Sequence, residues 1–393
     1  MNGITFKRQG GGLKRQLRGE DHISGLLIYG AQNVGKTMVI EPDQLDGMGI
    51  TAVSNPVVHY HISEYFRINP GSKVYLQSIE AADDQFVAVK QLQQFAEGKI
   101  KQLGIVDLNT SFVNFTNSLN AINACVLELA NMNMPLSVVY SIHNISNANL
   151  LGLPVLHNLN CERISVCIGQ DGAGRGNYVS QVAGKKVGIV GACLGAISRA
   201  KVHESIGWVA KQNLVTDIYP KALTGNAILA RELDVPMLID GTLLGDLTPA
   251  QIQSINDKGY LFPIKHIGYA GTYMNDSFTC SALDNDYAYI ENNRTIDKAM
   301  RGVYVKLLPS VSGPIYIDPS SGNIAPDAIA SLEAIASIPL EQMQRDGEIS
   351  GFKIFINPNQ DVLTSSKLQV TIKVVPVGVL REITVNLGLT IQI

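Results

Sequence analysis

The chain has 393 residues, of which 46 % are hydrophobic and only 17 % charged, with a formal net charge of −3. That length allows two or three domains with sizeable cores, and the near-neutral balance gives no global field for nucleic acid or an acidic substrate. A charged fraction this far below the roughly 25 % of an average globular protein weakens like-charge repulsion between copies and points to self-association.

The charge is uneven. Lys7, Arg8, Lys14, Arg15 and Arg18 all precede the first acid, Glu20, and Gly3, Gly10, Gly11 and Gly12 lie among them. This reads as a flexible basic arm. Its one aromatic residue, Phe6, gives little for base stacking, so nucleic acid is not the expected partner. No apolar core follows these cations as in a secretory signal. The longest nearly apolar run, residues 187–197, contains three glycines and is too short to span a bilayer. The expected protein is made in the cytoplasm and has no membrane insertion. Its five cysteines (125, 161, 167, 193 and 280) show no CxxC spacing and read as reduced, buried thiols.

Along the chain, Leu26, Leu27, Ile28 and Tyr29 form a short buried strand that ends at Gly30. Residues 57–66 and 74–79 read as strands separated by the turn Asn69-Pro70-Gly71. Residues 83–103 carry Phe86, Val89, Leu92, Phe95 and Ile100 at helical spacing, and a strand over 104–108 and a helix over 112–131 follow. Strands at 138–140, 164–168 and 237–239 extend the alternation, which predicts an α/β layer domain with helices on its faces. The texture changes near Asn285. A strand is expected at 287–290 and a helix at 293–304, then a loop-rich stretch over 309–323. Two helical segments flank Pro339, at 327–338 and 340–345, before a strand at 352–356.

The C-terminus is the most informative part. Leu368, Val370, Ile372 and Val374 alternate with polar residues until Pro376 and Gly378 break the run. Ile383, Val385, Leu387, Leu389, Ile391 and Ile393 then alternate to the last residue. Period two marks a strand with one buried face. Such a strand at a terminus either completes the chain's own sheet or pairs with another subunit, since an unpaired edge invites aggregation.

Several motifs invite chemistry. Gly30, Gly35, Lys36 and Thr37 match G-x-x-x-x-G-K-[ST], the phosphate-binding pattern, after a strand. A phosphate loop opens into a helix, but Pro42 would limit that helix to about one turn, and Val39 and Ile40 favour a strand. The expected structure is a glycine-bounded turn between strands, with nucleotide binding at Gly30–Thr37 as the alternative. Asp107 and Asp240 are the acids that could serve magnesium in that alternative. The glycine-rich run from Gly169 to Gly176 lacks dinucleotide spacing and reads as a flexible surface loop. His59 and His61 would share a strand face, but no third metal ligand stands at a supporting spacing. Ser141 with His143, and Cys161 with His157, lack the third member of a nucleophile site. Gly188, Gly191 and Gly195, with small neighbours at helical spacing, read as close helix packing. No catalytic residue, cofactor or metal is expected.

The run from Tyr287 to Arg301, with Arg294-Thr295-Ile296-Asp297 at its centre, resembles the segment that opens the C-terminal domain of contractile phage tail sheath proteins. Asp346-Gly347-Glu348-Ile349-Ser350-Gly351-Phe352 and Val374-Val375-Pro376-Val377 follow in a similar order. Residues 59–66 and 192–208 (with Ser205-Ile206-Gly207) resemble a sheath-like family of phages and prophages. The resemblance implies a mixed α/β fold with an N-terminal arm over 1–25, a middle domain over 26–284 and a C-terminal assembly domain over 285–393, completed by extended terminal strands. It implies a non-enzymatic subunit that forms stacked rings around a tail tube and contracts. Its partners would be its own copies, the tube protein, and baseplate and tail-terminator proteins. In this reading Ile4, Phe6, Ile383, Val385, Leu387, Leu389 and Ile391 serve subunit assembly, and the product is a virion tail or phage-tail-like particle.

Overall fold

The computed structural model describes residues 19–110, 112–143, 152–184, 186–215 and 231–389. Contacts divide the chain into two compact units, residues 1–298 and 299–393.

The first unit opens with β1 (Ser24–Tyr29), β2 (Val34–Val39), the short α1 (Gln44–Gly47), α2 (Pro56–Ile68), β3 (Val74–Ile79) and α3 (Val87–Phe95). Then come β4 (Gln102–Asp107), α4 (Phe115–Asn131), β5 (Ser137–Ile142), β6 (Ile164–Val166), β7 (Gly169–Asp171), α5 (Arg175–Ala183) and α6 (Val190–Arg199). β8 (Pro236–Leu238), α7 (Pro249–Asn256), β9 (Pro263–His266), β10 (Tyr269–Met274) and the start of α8 (Ile290–Leu307) complete it. A six-stranded sheet of order β2-β3-β1-β4-β5-β6 forms its centre. All its pairings are parallel except that of β2, which runs antiparallel to β3 at the edge.

Every residue of β1 and β4 is buried, as expected of a parallel sheet covered on both faces. Alternation along each strand sorts the side chains into two cores. Leu27, Tyr29, Leu103, Ile105 and Tyr140 pack with Phe86, Leu92 and Leu119, at the side of α3 and α4. Leu26, Ile28, Val74, Leu76 and Val106 pack with α2 and α6 through Val58, Ile62, Tyr65, Val190 and Leu194. The α/β layer expected from the alternating pattern is the fold observed.

Four expectations are corrected. Residues 57–66 lie in helix α2, not in a strand. Pro56 at its first turn presets helical φ, and burial of Val57, Val58, Tyr60, His61, Ile62, Tyr65 and Phe66 leaves only a narrow part-exposed stripe, His59, Ser63 and Arg67, to carry the 3.6-residue period. The helix expected over 83–103 is confined to Val87–Phe95, because Glu97 and Gly98 both take positive φ and reverse the chain into β4. The strand expected at 287–290 is a turn with one bridge, Phe278 to Tyr289, and α8 begins at Ile290. Pro339 does not split its segment in two.

In the second unit, α8 ends and α9 (Pro326–Arg345), β11 (Ile349–Ile356), α10 (Val362–Ser365) and β12 (Val370–Pro376) follow. α9 is continuous through Pro339. The ring faces Gly302, where a Cβ would come within 2.7 Å of Pro339 Cβ, so the glycine makes room for it. β11 and β12 form an antiparallel two-stranded ribbon. Phe352, Ile354, Ile372 and Val374 on one face pack against Ala299, Leu340, Met343 and Ile349. Among the described residues no helix is long and apolar enough to cross a membrane.

Candidate functional site

The phosphate-loop pattern falls at a β-turn-β junction. Gly30 takes φ +81° and donates its N–H to Ile79 O at 2.8 Å, and Asn33 Oδ1 accepts the N–H of Glu80. Val34 begins β2, so Gly35, Lys36 and Thr37 stand on an exposed edge strand paired with β3. The amides that a helix N-terminus would aim at a phosphate are directed instead along a sheet. The two acids offered for magnesium are engaged in local turns. Asp107 Oδ1 accepts from the N–H groups of Asn109 and Thr110, and its Oδ2 from Tyr140 OH. Asp240 accepts from the N–H and the hydroxyl of Thr242.

The other motifs are structural. Because α2 is a helix, His59 and His61 point to different sides. His59 lies 3.4 Å from Ser63 Oγ, and His61 is fully buried, with Nδ1 accepting the Gly191 N–H. Burial drives the His61 pKa down to about 3. Gly191 and Gly195 bring α6 against α2. A Cβ on Gly191 would overlap the His61 carbonyl, and one on Gly195 would lie 3.0 Å from Tyr65 O. His157 Nδ1 meets Ser281 O at 2.9 Å and His143 Nδ1 meets Asp107 O at 3.3 Å, so neither ring is turned to an adjacent nucleophile by these contacts. All five cysteines are free and buried.

The run from Gly169 to Gly176 is not a flexible surface loop. Gly169, Gln170 and Asp171 form the buried β7, and the loop enters α5 directly. Asp171 accepts from the N–H groups of Ala173, Gly174 and Gly176, which fixes the turn. Around it stands a cluster that the motif search missed. Glu232 accepts the Arg175 N–H at 2.7 Å and faces the Arg175 guanidinium, while Glu64 pairs with Arg67 one helical turn away. Asp171, Glu232 and Glu64 are all nearly inaccessible to solvent. Burial, and then the charges of Glu64 and Asp171, push Glu232 up to about 8. Asp171 is also raised, chiefly by burial.

The segment around Arg294-Thr295-Ile296-Asp297 lies on the first turns of α8 and locks the first unit together. Arg294 is buried and donates to the carbonyls of Ala200 and Lys201, which follow the end of α6. A cation there complements the helix dipole. Asp297 holds Arg163 through two bonds, Asn293 Nδ2 donates to Glu162 O, and Lys298 Nζ reaches Asp21 Oδ2 at 2.6 Å.

The assembly candidates divide by position. Ile4, Phe6 and Ile391 lie outside the described residues. Beyond β12, residues 377–389 enter no strand ladder. Ile383, Val385, Leu387 and Leu389 are 72, 74, 95 and 108 % exposed. Each such side chain forgoes about 1.5–3 kcal/mol of burial free energy while it stays in water.

Comparison of fold and of sequence finds likenesses to proteins of phage tails and a prophage baseplate. The fold matches a chain in the cryo-EM structure of the anti-feeding prophage (AFP) baseplate, 6-fold symmetrised, with TM-score 0.62 and 13 % identity, covering 100 % of this chain and 99 % of that one. In sequence, the chain is 28 % identical over 187 residues to a protein named "Putative tail sheath protein" from Haemophilus phage HP1 (strain HP1c1). That match covers 45 % of this chain and about half, 47 %, of the relative. Residues 1–278 match the family described as DUF2586, N-terminal domain, and residues 286–393 match DUF2586, C-terminal domain. The chain belongs to the DUF2586 family.

Proposed function

We propose that this chain is the structural subunit of a contractile tail sheath, with a mechanical and not a catalytic role. Copies polymerise as stacked rings around a tail tube in an extended, metastable state. They then move to a shorter, wider state of lower free energy and drive the tube through a target envelope. The energy resides in subunit contacts made at assembly, so the cycle requires no bound cofactor. An assembly domain combines residues 1–25 with 285–393, and residues 26–284 form the middle domain. The remaining partners are the tube, baseplate and tail-terminator proteins of a virion or phage-tail-like particle.

One observation supports this reading most. The alternating apolar segment over 383–389 is outside every ladder of its own chain and almost fully exposed. Isolated, it is an aggregation hazard; as a strand lent to a neighbouring copy, it buries its apolar face and satisfies its backbone. The test is electron microscopy and sedimentation of the purified full chain beside a chain lacking residues 383–393. Rings or tubes from the first and folded monomers from the second are expected. Tubes from the truncated chain would remove the strand from the mechanism.

A further inference from the structure

The second unit has two outward faces of opposite charge. On the ribbon, Lys353 and Lys373 are direct cross-strand partners, and both are exposed on the face turned away from the unit's own core. Like charges directly opposite in a sheet repel. The described residues supply neither lysine with an ion pair. Phe355 and Val375 flank the two lysines on the same face, 53 and 57 % exposed. The ribbon thus shows a basic centre with apolar margins. From Ile349 to Pro376 it carries Lys353, Lys367 and Lys373 against Asp361 alone.

Helix α9 has the complementary stripe. Asp327, Ser331, Ala334, Ile338, Glu341 and Arg345 recur at helical spacing on one side, and all are exposed. Leu340, Ala336 and Met343, on the opposite side, are buried in the unit's own core. Ile338 is 46 % exposed near the middle of the stripe. Ser331 and Ala334 are small enough for a close approach. Glu341 lies 3.7 Å from Arg345 and accepts from the Ser337 hydroxyl at 2.9 Å, both exposed contacts within the helix. Across α9, Asp327, Glu333 and Glu341 outnumber Arg345.

We infer that the lysine face of the ribbon in one copy receives the Asp327–Glu341 stripe of α9 from the next copy, with Ala334 over the lysine pair and Ile338 against Val375. This rests on the sheath reading and adds to strand exchange a face-to-face contact. A two-stranded ribbon relies on a packed helix for its stability, which its own α9 supplies on one face. A second helix on the lysine face would remove Phe355 and Val375 from water as well. The two surfaces differ, so the contact is head-to-tail and propagates into rings or helical arrays instead of closing as a dimer.

The test is charge reversal in the full chain. Lys353→Glu with Lys373→Glu should raise the concentration needed for assembly about tenfold or more, through like-charge juxtaposition. The melting temperature of the monomer should not change, because both sites are exposed. Asp327→Lys with Glu341→Lys should do the same, and all four substitutions together should restore assembly. As a second readout, copies carrying Ile338→Cys mixed with copies carrying Val375→Cys should form a disulfide-linked pair under oxidation. Wild-type assembly with an unaffected lysine double variant, or no rescue in the fourfold variant, overturns this contact and leaves the sheath reading standing. Loss of binding to another tail component with self-assembly intact also overturns it, since the occupant is then not a second copy. A wild-type chain that never assembles overturns the sheath reading and this contact with it.

Discussion

Arg163 and Asp297 meet as a two-pronged ion pair, Nη1 to Oδ2 at 2.7 Å and Nη2 to Oδ1 at 2.9 Å, with side chains only 12 and 2 % exposed. The pair joins the approach to β6 to the first turns of α8. Removing one partner would strand a buried charge, at a cost of roughly 3–5 kcal/mol. Asp297→Ala should therefore lower the melting temperature markedly. Lys99→Ala, which breaks a solvent-exposed pair with Glu97, should leave it unchanged. Equal effects would mean that the geometry of the Arg163 pair contributes nothing.

The Glu232 cluster makes a pH prediction. Its folded pKa of about 8 stands above the ordinary 4.5, so the folded state holds a proton that the unfolded chain releases. That contribution is fully present below 4.5 and is lost as pH rises through about 8. His61 acts in the opposite sense. Its value falls from 6.5 to about 3, so its contribution is present above 6.5 and is lost as pH falls towards 3. Thermal melts from acid to alkaline pH should show a maximum between these limits. Glu232→Gln should flatten the alkaline side, where Glu64, Asp171, Arg67 and Arg175 remain around it. An unchanged alkaline slope would show that Glu232 is already ionised in the folded protein.

The parallel sheet was legible because β1, β3 and β5 are short apolar runs, and a strand buried on both faces reads that way in any sequence. α2 was not, since its polar stripe is narrow and its β-branched Val57, Val58 and Ile62 imitate a strand. Pro339 looked like a break because the space left by Gly302 is a property of the neighbouring helix. The carboxylate cluster is written in residues far apart, Arg175 and Glu232 being 57 positions from each other, and no local pattern marks it. The terminal alternation was plain, but what it pairs with is not a feature of one chain's sequence.

Helix packing gives a steric test. A Cβ on Gly191 would run into the backbone of His61, which cannot rotate away as a side chain would. Gly191→Ala should separate α2 from α6 and cost about 1–3 kcal/mol or more. Gly35→Ala, where nothing lies within 4 Å of the added carbon, is the matched control and should be nearly neutral. A Gly191→Ala protein as stable as the control would contradict the α2–α6 packing.

The edge position of Lys36 bears on the nucleotide alternative. Lys36 is exposed on β2, which runs on through Thr37 to Val39 instead of opening a helix there, so calorimetry with ATP or GTP should give no specific binding. Lys36→Ala should leave both stability and assembly unchanged. Micromolar affinity that disappears in Lys36→Ala would put phosphate recognition back at this turn.

The terminal segment allows its two faces to be told apart. Ile383, Val385, Leu387 and Leu389 occupy alternate positions, so in a strand they share one face, while Thr384 and Asn386 share the other. If a neighbouring copy accepts this strand, the apolar face becomes buried and gains about 1.5 kcal/mol or more per side chain. Val385→Asp would then force a carboxylate into that interface, or force its protonation, and assembly should be lost. Thr384→Asp places the same charge one residue away on the opposite face and should weaken assembly far less. Both variants should melt as the wild-type monomer does, because Val385 is 74 % exposed in the isolated chain. Equal loss from the two substitutions would mean that charge on the segment matters and strand register does not. Equal retention would mean that the segment does not pair at all.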